Sequence, residues 1–151
     1  MAKVRAEGTT MVEICSLLFV VSIGIVVLYP AQQQVAHRQQ QEAYATQCWH
    51  NVMELGQEVE TWGKTHKGQY PASLTQLKIK SLPSCPAADP AKGNPYLAKD
   101  GYLVRNLGET AGRFTIRCAS NWHVEVNVPK NQPQFDSRAG MTPTSLDFTR
   151  K

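Results

Sequence analysis

Gly8 to Pro30 reads GTTMVEICSLLFVVSIGIVVLYP: a glycine, two threonines, one acid at the start of an apolar run, and a proline at its far end. From Ile14 to Tyr29 sixteen residues carry no charge, and with Thr10 to Val12 the stretch approaches the ~20 residues that cross a bilayer core as a helix. It reads as a membrane segment, and it withdraws that part of the chain from any soluble core. The feature that sets it apart is Glu13, just inside the apolar run. An ionised carboxylate near the middle of a bilayer costs roughly 2.5–3.5 kcal/mol on insertion scales, so such residues normally have a partner and a task. The basic residues before it, Lys3 and Arg5, lie eight to ten positions away, and Glu7 adds repulsion.

Other readings of an amino-terminal apolar run fit less well. A cleaved secretory signal has a shorter apolar region, no acid inside it and a small-residue cut site beyond it. Here the helical patterning runs straight through Ala31 to Ala36. A lipoprotein signal ending at Cys15 is opposed by Val12-Glu13-Ile14, which puts a charge where small or apolar residues are needed. An ordinary single-pass anchor would leave Glu13 an incidental interfacial residue.

Gly8-Thr9-Thr10-Met11-Val12-Glu13, preceded by a basic leader and followed at the far end of the apolar run by Pro30, resembles the amino-terminal signature of type IV pilins and type II secretion pseudopilins. The resemblance implies that a prepilin peptidase cuts between Gly8 and Thr9 and that Thr9 becomes the N-methylated terminus. It implies that Glu13 is the assembly carboxylate, pairing with the terminal amine of a neighbouring subunit in a helical filament, and that Pro30 marks a helix bend. Other pilin or pseudopilin subunits and an inner-membrane assembly platform are the implied partners. Thr9 stands where the family usually has phenylalanine, and Glu7 where the leader is usually basic or neutral. The phrase Gly68-Gln69-Tyr70-Pro71-Ala72-Ser73-Leu74, with Leu77 after it, resembles the segment that follows the long helix in many pseudopilins.

The 151 residues are one domain's worth of chain. About 85 of them lie beyond the long helix, enough for a modest core that gains from a covalent staple. Net charge is +4, and removal of the leader leaves +3, too mild to argue for nucleic acid as a partner. Lys3 and Arg5 precede the apolar run and no basic residue follows until His37 and Arg38. That asymmetry places the amino end in the cytoplasm and the bulk of the chain on the exported side of the inner membrane, where disulfides persist.

Beyond Pro30 the chain turns polar without turning irregular. Cys48, Val52, Leu55, Val59 and Trp62 recur at spacings of four, three, four and three, which predicts an amphipathic helix with one apolar face. The glutamine-rich piece Gln32 to Gln41 reads as a helical stem, with a linker as the alternative. Ser73 to Leu77 reads as a short helical turn, before Pro83 and Pro86 force extended backbone. Farther on the period becomes two: Tyr102 to Arg105, Arg113 to Cys118 and His123 to Val128 read as strands. Phe114, Ile116 and Cys118 share one face, and Val124, Val126 and Val128 share another. The expected fold class is α+β and pilin-like, a long helix packed on a small antiparallel sheet. The expected order is a leader at 1–8, a membrane and assembly helix at 9–30, an amphipathic helix at 31–67, a globular head at 68–128 and a loosely ordered tail at 129–151.

Cys15 lies in the membrane run, which leaves three pairings among Cys48, Cys85 and Cys118. A Cys85–Cys118 disulfide is favoured, because Cys85 sits in the Pro83–Pro86 turn, Cys118 ends a strand, and Cys48 belongs to the helix stripe as an apolar filler. Such a bond stabilises by roughly 3–4 kcal/mol. A metal site from Cys85, Cys118 and His123 is the competing reading. The lack of closely spaced ligand pairs argues against it, so no metal or other cofactor is expected.

Nothing suggests catalysis. Ser73, Ser120 and Ser145 lack a nucleophile-elbow context, and His37, His50 and His66 stand in a polar helix or at its end. The chain is expected to be a structural subunit and not an enzyme. The alternative is a membrane-anchored binding module whose exported head captures DNA or a secreted substrate at a filament tip, with Arg105, Arg113 and Arg117 lining one sheet face.

Overall fold

The computed structural model describes residues 11–107, 110–119 and 123–148. Gly8 and Thr9, on which the cleavage and methylation expectations rest, lie outside the described residues, as does Trp122. The chain divides into two units, Met1–His37 and Arg38–Lys151.

Helix α1 runs from Met11 to Thr65, 55 residues, with Pro30 inside it. Pro30 has no N–H to donate to the preceding turn, yet residues on both sides are helical, and the glutamine-rich stem is helix and not linker. α1 ends in a hydrogen-bonded reversal. Lys67 adopts a left-handed conformation (φ 54°), and the Gly68 N–H donates to the Gly63 carbonyl at 2.9 Å, which satisfies a carbonyl that the helix itself leaves open.

Within the second unit the apolar stripe of α1 is the floor of the core. Cys48, Val52, Leu55 and Val59 are all fully buried, and they pack with Phe114, Ile116, Cys118 and Phe135. The sheet has four strands in the order β1-β2-β3-β4: β1 Tyr102–Leu107, β2 Thr110–Arg117, β3 Gln134–Asp136 and β4 Gly140–Thr142. Every neighbouring pair is antiparallel. Period-two alternation puts Phe114 and Ile116 on the helix side of β2, as the sequence predicts. The two layers touch at Gly56, where an added Cβ would lie 2.5 Å from the Phe135 ring. The absence of a side chain there lets the ring rest on the helix backbone. Ser73 caps a 3-10 turn at Leu74–Gln76, where a short helical turn is expected.

Two expectations need correction. Val124–Val126 is a 3-10 turn and not the middle of a strand. Asn127 is left-handed (φ 64°) and its N–H returns to the Val124 carbonyl, so the alternation breaks. Val124 is exposed, while Val126 and Val128 join Ala45, Leu146 and Phe148 in a second small core. The stretch from 129, expected as a loose tail, supplies strands β3 and β4. Side chains of α1 tie this stretch down: Trp49 Nε1 donates to the Pro143 carbonyl at 2.9 Å and Arg38 Nη2 to the Phe148 carbonyl at 2.8 Å.

Asp136 anchors the β3–β4 hairpin. Its carboxylate accepts from Arg113 at 2.8 Å, from the Thr115 hydroxyl at 3.0 Å and from the Arg138 N–H at 2.9 Å. Burial alone would push its pKa up, but these donors and the Ala139 N–H outweigh it and bring the carboxyl down to about 2.

Candidate functional site

Two features of the molecule offer chemistry or surface beyond what folding requires, one in each unit. In the first unit α1 is apolar on every side. Leu17, Leu18, Phe19, Val20 and Val21 are consecutive, and each exposes between 50% and 68% of its surface. Successive residues point about 100° apart around a helix, so these five cover the whole circumference. A helix hydrophobic all round belongs inside something, whether a large core or a membrane. α1 is also the one described helix long and apolar enough to cross a membrane. The hydroxyls along it are satisfied internally: Ser16 Oγ donates to the Glu13 carbonyl at 3.0 Å and Ser22 Oγ to the Phe19 carbonyl at 2.8 Å. Glu13 lies in the first turn of the described helix.

In the second unit three cysteines and a histidine converge in the core. Cys48 comes from α1, Cys85 from the turn after Pro83, Cys118 from the residue after β2, and His123 from the residue before the 3-10 turn. All four are buried, with at most 2% of their surface exposed. Their sulfur and nitrogen donor atoms all lie within 4.8 Å of one another. Backbone bonds fix each donor. Asn51 Nδ2 donates to the Ser84 carbonyl at 2.9 Å, the Ala88 N–H closes a turn onto the Cys85 carbonyl, the Cys118 N–H donates to the Pro133 carbonyl, and the His123 carbonyl accepts from both Val126 and Val128.

Contacts inside the cluster are polar. His123 Nε2 is 3.2 Å from Cys85 Sγ, and the Tyr96 hydroxyl is 3.1 Å from Cys48 Sγ. Among the described residues, His123 Nδ1 is buried with no hydrogen-bond partner. Hydrogen bonding to Cys118 and Cys85, together with burial, holds the Cys48 proton well above the ordinary thiol range. Cys85 is pushed up to about 12 by Cys118 and by burial, while Cys48 and the Ala87 N–H act in the opposite direction. Three thiolates cannot share a dry space without a counter-charge.

This arrangement differs from the expected one. Cys85 and Cys118 are neighbours, as a disulfide between them would need, but among the described residues no disulfide joins them, and Cys48 is their third neighbour and not merely an apolar filler. His123 faces sulfur. The helical stripe hides Cys48 from sequence reasoning, since a buried cysteine at that spacing looks like any small apolar residue. The available signal is arithmetic: three cysteines outside the membrane run cannot all be paired within one chain. Tyr96, fully buried against Cys48, is read from sequence only as a possible strand residue.

The remaining candidates are surface groups. His37, His50 and His66 are exposed, with His66 stacked on Trp62 at 4.0 Å between ring centroids. Arg105 and Arg113 are cross-strand partners, and Arg117 lies four residues along β2, so the three share a sheet face. That face is not a free cationic patch, because Arg113 pairs with Asp136 at 2.8 Å and Arg117 with Asp100 at 3.8 Å. Compared with known proteins, the chain matches no family model, and no curated protein and no solved structure is significantly similar to it.

Proposed function

We propose that the chain is a pilin-like structural subunit, anchored in the inner membrane by the amino-terminal part of α1 and assembled through that segment into a pilus or secretion pseudopilus. The observation that carries this reading is the all-round apolar exposure of Leu17 to Val21 on a helix that begins beside an acid, in a chain whose second unit has its own core. Such a surface is suited first to lipid and then to a bundle of identical helices, because both environments are apolar in every direction. The amino end faces the cytoplasm and the head is exported. A prepilin peptidase removes residues 1 to 8, Thr9 is methylated, and Glu13 meets the terminal amine of a neighbouring copy on the assembly platform. A buried pair of that kind sets register more than it adds stability.

Intact-mass measurement of the membrane-extracted chain tests the first step, with loss of Met1 to Gly8 and gain of one methyl group expected. A chain that retains Met1 would overturn the reading. The subunit role is tested by Glu13→Ala, which should abolish incorporation into filaments while membrane insertion continues.

A further inference from the structure

The cluster in the head asks for a different explanation from the helix, and its explanation does not depend on how the helix is used. We infer that Cys48, Cys85, Cys118 and His123 form a closed, four-coordinate site for a zinc ion that fastens α1, the Pro83–Pro86 turn, the end of β2 and the Val124–Val126 turn to one another. Three sulfurs and one imidazole nitrogen are a donor set that structural zinc takes in tetrahedral geometry. Bonds of roughly 2.3 Å to sulfur and 2.0–2.1 Å to nitrogen place tetrahedral ligand atoms about 3.7 Å apart. The observed donors all lie within 4.8 Å of one another, and Cys85 Sγ and His123 Nε2 are 3.2 Å apart. Side-chain adjustments of about an ångström or less complete the tetrahedron, with no rearrangement of the elements that carry the ligands.

The surroundings favour the metal-bound form. The Tyr96 hydroxyl, 3.1 Å from Cys48 Sγ, can donate to a thiolate. Donors of this kind orient ligands and disperse their charge. The buried, unpartnered Nδ1 of His123 shows that hydrogen bonds on both sides do not hold the ring in place. Among the described residues, the polar contact of the ring is with Cys85 Sγ. A Cys85–Cys118 disulfide would use two sulfurs and leave Cys48 and the imidazole buried beside it without a role. Iron–sulfur clusters mostly call for four thiolates, and oxygen-seeking cations such as calcium find no ligand here. Binding exchanges three thiol protons for one Zn²⁺, and the protons leave to solvent. The site then carries a net charge of −1, no electron is transferred, and no coordination position stays open, so the ion is structural.

The test uses the full chain, extracted in mild detergent without chelator. Elemental analysis should give one zinc per chain, and exchange with Co²⁺ should produce the visible absorption of tetrahedral cobalt together with a sulfur-to-cobalt charge-transfer band. Native alkylation should modify Cys15 alone until a chelator is added, after which Cys48, Cys85 and Cys118 react as well. Cys118→Ser and His123→Ala should lower zinc retention at least tenfold, His123→Cys should keep it, and Cys15→Ser should leave it at one per chain. Where a variant fails to fold, the zinc content and cobalt spectrum of the unaltered chain decide. A non-reduced peptide map showing any head disulfide in a zinc-free chain would overturn the inference. So would three reduced head thiols in a folded chain that takes up neither zinc nor cobalt.

Discussion

The two units bury their chemistry in opposite ways. In the amino-terminal part of α1 the apolar side chains are outside and the conformation is simple. In the head the apolar side chains are inside. What distinguishes this core is a polar knot of three sulfurs and an imidazole within 4.8 Å. The first unit is read from a contiguous stretch of sequence, the second only from residues that lie far apart along the chain. The contrast teaches that an apolar surface announces itself locally, whereas a side-chain cluster assembled inside a fold does not.

The largest effect expected from breaking this contrast is at Glu13. Glu13→Ala should remove assembly altogether, read as the loss of sedimentable polymer while the chain remains in the membrane fraction. Assembly at the normal level would end the distinction between an anchor and an assembly surface. Next is Phe114, fully buried between sheet and helix. Phe114→Ala should destabilise the head by about 3–5 kcal/mol in denaturant unfolding, with insertion unaffected. Gly56→Ala is a sharper probe, because helix propensity predicts a gain of up to about 1 kcal/mol. The Phe135 ring, 2.5 Å from the added carbon, reverses the sign. A net loss of about 1–3 kcal/mol is expected, and a stabilised variant would mean that Phe135 does not sit on the helix.

A smaller effect concerns acid. Asp136 has its carboxyl held down to about 2, mainly by Arg113 once burial has been overcome. A group depressed in the folded state contributes stability above its unfolded value near 3.8, and that contribution fades as pH falls from about 4 toward 2. On the order of 1–2 kcal/mol should be lost over that window, given that Arg113 is half exposed. Asp136→Asn should flatten the pH profile there. The smallest effect is at Leu18, exposed on the apolar helix. Leu18→Ala should leave head unfolding within about 0.5 kcal/mol of the unaltered chain; a larger change would show that the two units are not independent.

Much of the fold is legible in the sequence because the relevant periods are local. The four-three spacing from Cys48 to Trp62 specifies the buried helix face, and the alternation through Phe114 and Ile116 specifies the inner face of β2. The same logic misleads at Val124 to Val128, where the alternation is real. A left-handed Asn127, an accessible choice for asparagine, folds the segment into a turn instead. Strands β3 and β4 are three residues each and their stretch is rich in proline and polar residues. They are held by pairing with β2 and by the bonds of Asp136 to Arg113 and Thr115, which no period records. The sulfur cluster is half legible: Cys85, Cys118 and His123 can be grouped on paper, but Cys48 enters only when the sheet closes on the helix.

Phe135 rests on Gly56, seventy-nine residues earlier in the chain. Contacts of such long range form late, since the intervening loop must be closed before they contribute. A chain emerging from synthesis therefore leaves Gly56 uncovered by Phe135 until the β3–β4 hairpin has been made. The core over Val52, Leu55 and Val59 is complete only when Phe135 from that hairpin joins Leu74, Leu77 and Phe114 on it.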